Sequence, residues 1–324
     1  MRPVEETLTR IVRGRLFALS LFIVGLIFFV SGKANIISDG LTTIGYAGEF
    51  PVLTFSSSFL TGLASFSLIF LTVSTMVLMN RFLNLLRTNS KLYVGLFMLM
   101  VATCPGGAGL SLNGLLMTFV GMFSLMMLYT TYQKKIPTRR IFLVFVLLCF
   151  GASVQWSYAA LIPAFLFCCG PLRCLSLRSV MATAVGVFTP LWILWGFGYV
   201  NLDALMPLNI SLPTASVFSA YSPAALVAVT VTLVATFFVT GYNTLRIFGL
   251  NARTRAFNGV FAVMTLWVAL ISIVDFGHAL DYYPFLAALT AMQSTLFFRI
   301  TMENRSYVYV LILSLAYIIA FSLI

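Results

Sequence analysis

The chain has 324 residues, of which 61% are hydrophobic and 8% charged, and a formal net charge of +11. A water-soluble chain carries about a quarter charged residues, so the composition excludes an ordinary soluble domain. Apolar runs of about twenty residues recur from end to end and predict an all-α, polytopic transmembrane helical bundle. A transmembrane barrel is excluded as well, because the runs at 224–236 and 307–324 lack the alternation of a strand with a polar inner face.

Residues 1–15 read as a cytoplasmic or interfacial segment, with Glu5 and Glu6 early and Arg10, Arg13 and Arg15 late, the order a helix dipole favours. Spans are then expected at 16–32, 59–80, 92–108, 112–132, 141–154, 157–170, 180–200, 223–243, 257–275, 282–298 and 306–324. The first is expected to be retained rather than cleaved, since its apolar run is long and the chain keeps re-entering the bilayer. Residues 16–324 form one transmembrane domain on this reading. The longest outer connections, about 33–58 and 201–222, hold no soluble domain. No internal repeat is visible, which argues against transporters built from two related halves.

Basic residues set the orientation, because short cytoplasmic loops retain them during insertion. With the N-terminus inside, Arg2, Arg10, Arg13, Arg15, Arg81, Arg87, Lys91, Lys134, Lys135, Arg139, Arg140, Arg173, Arg178, Arg246, Arg253, Arg255, Arg299 and Arg305 all face the cytoplasm; Lys33 alone lies outside. One long helix over 141–170, in place of a hairpin, would move seven of these cations across. The hairpin is preferred, giving about eleven spans with the C-terminus outside. The positive charge is then a topology signal that suits anionic lipid at the cytoplasmic face, and no nucleic-acid partner is expected.

The five cysteines, Cys104, Cys149, Cys168, Cys169 and Cys174, have no CxxC pair or metal-type spacing, so buried reduced thiols are expected. The centres of the spans carry no Asp, Glu, Lys, Arg or His, which argues against proton- or sodium-driven transport. CPGGAGLSLN (104–113) lacks the phosphate-loop pattern GxxxxGK[ST] and reads as a plain outer turn.

Two stretches carry polar groups worth weighing. Each arm of the hairpin FGASVQWSYAALIP has about fourteen residues, roughly 21 Å of helix against roughly 30 Å of hydrocarbon, so its tip lies below the outer surface. Either Gln155, Trp156, Ser157 and Tyr158 line an outward-open pocket, or the bilayer thins locally and Trp156 and Tyr158 anchor the interface. The second stretch, IVDFGHALDYYPF (273–285), holds the only histidine. Spaced by three, Asp275, His278 and Asp281 would share an arc of about 120° on a helix. A carboxylate beside an imidazole fixes its tautomer and raises its basicity, as a general base or a metal ligand set requires. The alternative is a polar turn between two spans.

The first outer loop adds Asp39 and Glu49, so the candidate catalytic residues are Asp39, Glu49, Asp275, His278 and Asp281. The candidate binding residues are Gln155, Trp156, Ser157, Tyr158 and Lys33. In its carboxylate after the first span and in ALDYYPFLAAL, the chain is similar to membrane glycosyltransferases that use polyprenyl-phosphate sugars. Phosphate is normally held by Arg or Lys, and Lys33 is the sole outer cation. An enzyme of that kind would need a divalent metal on the acids to neutralise the phosphate; otherwise no cofactor is expected and no metal site is assigned.

The block FGASVQWSYAALIPAFLFCCGPLRCLSLRSVMATAVGVFTPLWILW (150–195), with its LxxLxLRS turn, and the closing DYYPFLAALTAMQSTLFF resemble a family of multi-pass inner-membrane proteins of Bacteroidota. That family carries only a domain-of-unknown-function label. The resemblance covers about half the chain, implies a bacterial inner-membrane location and transfers no activity. Three functions stay open. One is a non-catalytic component that assembles with envelope-protein partners in cell-envelope biogenesis, favoured by the missing outer arginines. Another is a polyprenyl-linked glycosyltransferase or lipid-modifying enzyme with a periplasm-facing acidic pocket. The third is a transporter of an apolar or lipid substrate.

Overall fold

The computed structural model describes residues 11–12, 14–31, 58–86, 91–104, 112–134, 137–199, 212–249, 251–300 and 306–322. Among these the regular elements are all helices: α1 (Arg15–Ser31), α2 (Ser58–Leu83), α3 (Leu92–Ala102), α4 (Leu112–Tyr129), α5 (Thr138–Val154), α6 (Ile162–Cys168), α7 (Leu177–Gly196), α8 (Ala215–Ala220), α9 (Pro223–Arg246), α10 (Ala252–Val274), α11 (Ala279–Ile300) and α12 (Ser306–Ser322). Short 3₁₀ turns at Trp156–Leu161, Ile247–Gly249 and Phe276–His278 join some of them. Among the described residues, five helices are long and apolar enough to cross a membrane: Gly62–Leu83 within α2, and all of α4, α7, α9 and α10.

Local chemistry marks the helix ends. The Ser176 and Ser222 hydroxyls accept from the Ser179 and Ala225 amides at 3.2 and 3.3 Å and so cap α7 and α9; Pro223 follows directly, where its missing N–H costs nothing. At the far end of α7, Gly198 turns left-handed at φ 75°. The Tyr199 amide then donates to Leu194 O at 2.9 Å, giving a paired end to carbonyls a helix leaves open. The expected span 92–108 is cut short at Ala102. Pro105 explains the shortening, since the residue before a proline is pushed out of helical geometry.

α11 is the hub. It packs against α3, α4, α9, α10 and α12, and every residue from Tyr282 to Phe298 is buried. Several of its polar side chains, and of those of α9, pair with neighbouring helices, although Thr240 Oγ1, Asn243 Oδ1 and Gln293 Nε2 have no partner among the described residues. Thr236 pairs with Thr290 at 2.7 Å, Thr232 with Tyr317 at 2.6 Å, and Asn243 Nδ2 donates to Gln293 Oε1 at 2.7 Å. Between apolar helices in lipid, such bonds and close packing replace the hydrophobic drive.

Charge is sorted by end. The twelve described cations sit at Arg15, at Arg81, at Lys91, in the α4–α5, α6–α7 and α9–α10 turns, and at Arg299. Hydrogen bonds knit these turns together: Arg140 Nη1 to Thr130 O (2.7 Å), Tyr129 OH to Phe257 O (3.1 Å) and Arg299 Nη1 to Leu86 O (2.7 Å). The two described acids, Asp275 and Asp281, lie at the opposite end.

Between these ends the α5–α6 region is a hairpin, as expected, and not one tilted helix. Gln155 is extended (φ −146°, ψ 128°) and stops α5. α6 then runs antiparallel to α10, with Trp267 Nε1 donating to Ala160 O at 2.8 Å and Cys168 Sγ lying 3.7 Å from Val260 O. All five cysteines are buried, and none is in a disulfide.

Candidate functional site

The hairpin tip and the carboxylate turn, weighed as separate regions of the sequence, meet in space. Tyr158 folds back over α5 because residue 151 is glycine: a Cβ there would stand 2.3 Å from the Tyr158 ring. This tight reversal turns Gln155 toward the start of α11, where its Nε2 donates to Asp281 Oδ2 at 2.7 Å. On the other side of the turn the Tyr282 hydroxyl donates to Asp275 Oδ2 at 3.3 Å. Asp275 Oδ1 in turn accepts from His278 Nδ1 at 2.9 Å.

Asp275 ends α10, the next three residues form a 3₁₀ turn, and α11 begins at Ala279. Of the two readings of this stretch, a single helical arc or a polar turn between two helices, the structure has the turn. Asp275 and His278 do pair at i,i+3, but across a helix break, and Asp281 pairs with the hairpin. The Tyr221 hydroxyl braces the break by donating to Phe276 O (2.8 Å) and Gly277 O (2.7 Å). Burial, then the Asp281 and Asp275 carboxylates, push Tyr221 up to about 12, so that hydroxyl stays a donor.

A carboxylate only accepts, so the Asp275 contact places the proton on Nδ1 and leaves Nε2 of a neutral imidazole with an open lone pair. The His278 side chain is 39% exposed and that of Asp275 13%. The hydrogen bond to Asp275 raises the His278 pKa above its ordinary 6.5; burial opposes the rise, and the charges of Asp275 and Asp281 add to it. Gln155, Ser157 and Tyr158 are buried. Among the described residues, Gln155 Oε1 and the Tyr158 hydroxyl have no hydrogen-bond partner. Native interiors leave few such groups unsatisfied, so these two atoms retain hydrogen-bonding capacity beside Asp281.

Trp156 stands half-buried against the main apolar core. Lys33, Asp39 and Glu49 lie outside the described residues, as does most of CPGGAGLSLN. Tyr282 and Tyr221 were not anticipated. Tyr282 carried a signal, because 275, 278 and 282 follow the i, i+3, i+7 spacing of one helix face. Tyr221 carried none, since its partners are backbone carbonyls 55 and 56 residues away. Among the described residues no group of three or more His, Cys, Asp or Glu could hold a metal ion. Among the described residues the cluster thus offers carboxylates, an imidazole, an amide and phenols, and no arginine or lysine. Compared with protein-family models, with curated proteins and with solved structures, the chain matches none.

Proposed function

We propose that the chain is a multi-pass protein of the bacterial inner membrane with about eleven spans, its N-terminus in the cytoplasm and its C-terminus in the periplasm. The sorting of described cations to one end and described acids to the other supports this threading. In this orientation the cluster around Asp275 faces the periplasm. Its role is to hold a neutral, hydroxyl-bearing ligand, such as the glycan part of an envelope precursor, as a non-catalytic component of envelope biogenesis with protein partners.

The observation that carries the reading is the joining of Gln155 to Asp281 beside unpaired Gln155 Oε1 and Tyr158 OH. Carboxylates and amides bind sugar hydroxyls, whereas a phosphate calls for arginine or lysine. The test is calorimetric titration of the protein in nanodiscs with a neutral oligosaccharide and with its phosphorylated form. Preference for the neutral sugar, lost in Gln155→Ala, supports the reading; tighter binding of the phosphorylated sugar sinks it.

A second reading is favoured by the geometry of one pair. With Nδ1 held by Asp275, His278 Nε2 is placed to take a proton from a substrate hydroxyl, the general-base step of a glycosyl- or lipid-modifying enzyme. Asp39 or Glu49 would complete that site. In that case His278→Gln abolishes turnover of a lipid-linked sugar while leaving its binding intact; equal loss of both would reject a base role.

A further inference from the structure

We propose that the groove between α1 and α2 binds one anionic glycerophospholipid, its phosphodiester held by Arg15 and Lys91 and an acyl chain lying along α3. The groove has a volume of about 700 Å³, and its walls are apolar except at the end formed by Arg15 and Lys91. That volume falls within the roughly 300–1,000 Å³ of ligand pockets.

The shape follows from two glycines. A Cβ on Gly95 would lie 2.6 Å from Ala18 O, and one on Gly25 2.9 Å from the Met98 carbonyl carbon. α1 and α3 therefore meet backbone to backbone and run side by side, which brings Arg15 level with Lys91. α2 packs mainly on α4 and stands away from α1, so Ile69, Phe70 and Val73 form the opposite wall. At the deep end Phe66 lies across from Phe29, ring centroids 6.2 Å apart, and closes the gap. From Arg15 to Phe29 the helix rises about 21 Å. The result is an apolar slot of finite length, blocked at one end and cationic at the other.

Charge selects the occupant. Arg15 and Lys91 are exposed, and among the described residues neither is in an ion pair. A phosphodiester placed between them meets two cations. A zwitterionic headgroup brings its own ammonium and gains less. None of the residues lining the slot belongs to the polar cluster near Asp275, so the lipid site stands independently of that cluster's role. Only the leaflet, cytoplasmic, rests on the orientation proposed above.

The experiment is native mass spectrometry of the full chain released from nanodiscs made of equal phosphatidylglycerol and phosphatidylcholine, with size-exclusion profiles confirming that each variant is folded. One phosphatidylglycerol retained per chain, in preference to phosphatidylcholine, is expected. Arg15→Gln combined with Lys91→Gln should reduce that preference roughly thirtyfold. Val73→Trp fills the slot, keeps both cations and should expel the lipid. Equal retention of both lipids, or an unchanged preference in the double variant, would overturn the proposal. So would full retention in Val73→Trp, which would leave only a basic surface. Tagging the two termini tests the orientation separately: both in one compartment would refute the threading and leave the retention result standing.

Discussion

α11 and α7 are each long enough to span a bilayer, yet they invert the usual relation between burial and polarity. α11 is enclosed along its length and carries Thr290, Gln293, Ser294 and Thr295 inside. In α7 the buried residues are small or polar, Ser179, Thr183, Gly186 and Pro190, while Leu177 (80% exposed), Phe188 (60%) and Trp192 (58%) face outward. α11 falls outside the set of helices apolar enough to cross a membrane, and α7 is within it. The difference teaches that apolarity here measures contact with lipid, whereas helix association depends on close approach and hydrogen bonds.

The largest test of that contrast is truncation. Phe285 is fully buried, so Phe285→Ala should cost about 3–5 kcal/mol, against under about 0.5 kcal/mol for Phe188→Ala on the outward face of α7. Thermal unfolding in one detergent compares them, and similar shifts would break the contrast. Next comes close approach. A Cβ on Gly186 would stand 2.9 Å from Phe142 O, so Gly186→Ala should lose about 1–3 kcal/mol by parting α7 from α5. Gly241 has nothing within 4 Å of the same position, and Gly241→Ala should be neutral or stabilising.

A smaller effect concerns the bonds around the hub. A double-mutant cycle on Thr236 and Thr290 should give a coupling of about 0.6 kcal/mol, typical of such pairs in membranes; zero coupling would assign their burial to packing alone. The smallest effect is electrostatic and sits at the edge of α11. Because the folded pKa of His278 is raised above 6.5, the pair with Asp275 contributes its full stabilisation below about 6.5 and loses it as pH rises through the raised value. The chain has one histidine, so one imidazole signal reports the titration by NMR. Asp275→Asn should lower that midpoint. An identical midpoint in both proteins would mean the pair does not form in solution.

What the sequence disclosed was what backbone chemistry enforces locally. Helices at 223–243 and 257–275 were legible because an apolar run in hydrocarbon has few other ways to satisfy its peptide groups. The α5–α6 reversal was legible from cations, Arg173 and Arg178 needing the same end as Arg139 and Arg140. The length of α3 was misjudged because an apolar count ignores the stop that Pro105 imposes. α8 lay hidden in an outer connection, since six residues give too little periodicity to read; Phe218 there finds Phe276 at 4.8 Å only in the fold. The meeting of Gln155 with Asp281 was illegible for a deeper reason. It spans 126 residues and depends on which helices gather around α11, a matter of packing that neither residue's neighbours encode.

The one-sided distribution of arginine and lysine has an electrical consequence. In the proposed orientation, a cell's inside-negative voltage pulls the cation-bearing turns toward the side they already occupy. Carrying the α6–α7 turn, with Arg173 and Arg178, across to the other face would mean work of about 2.3 kcal/mol per charge for each 100 mV, before any cost of dehydration. An energised membrane thus acts as a latch on the short hairpin, and the structure should be hardest to rethread in respiring cells.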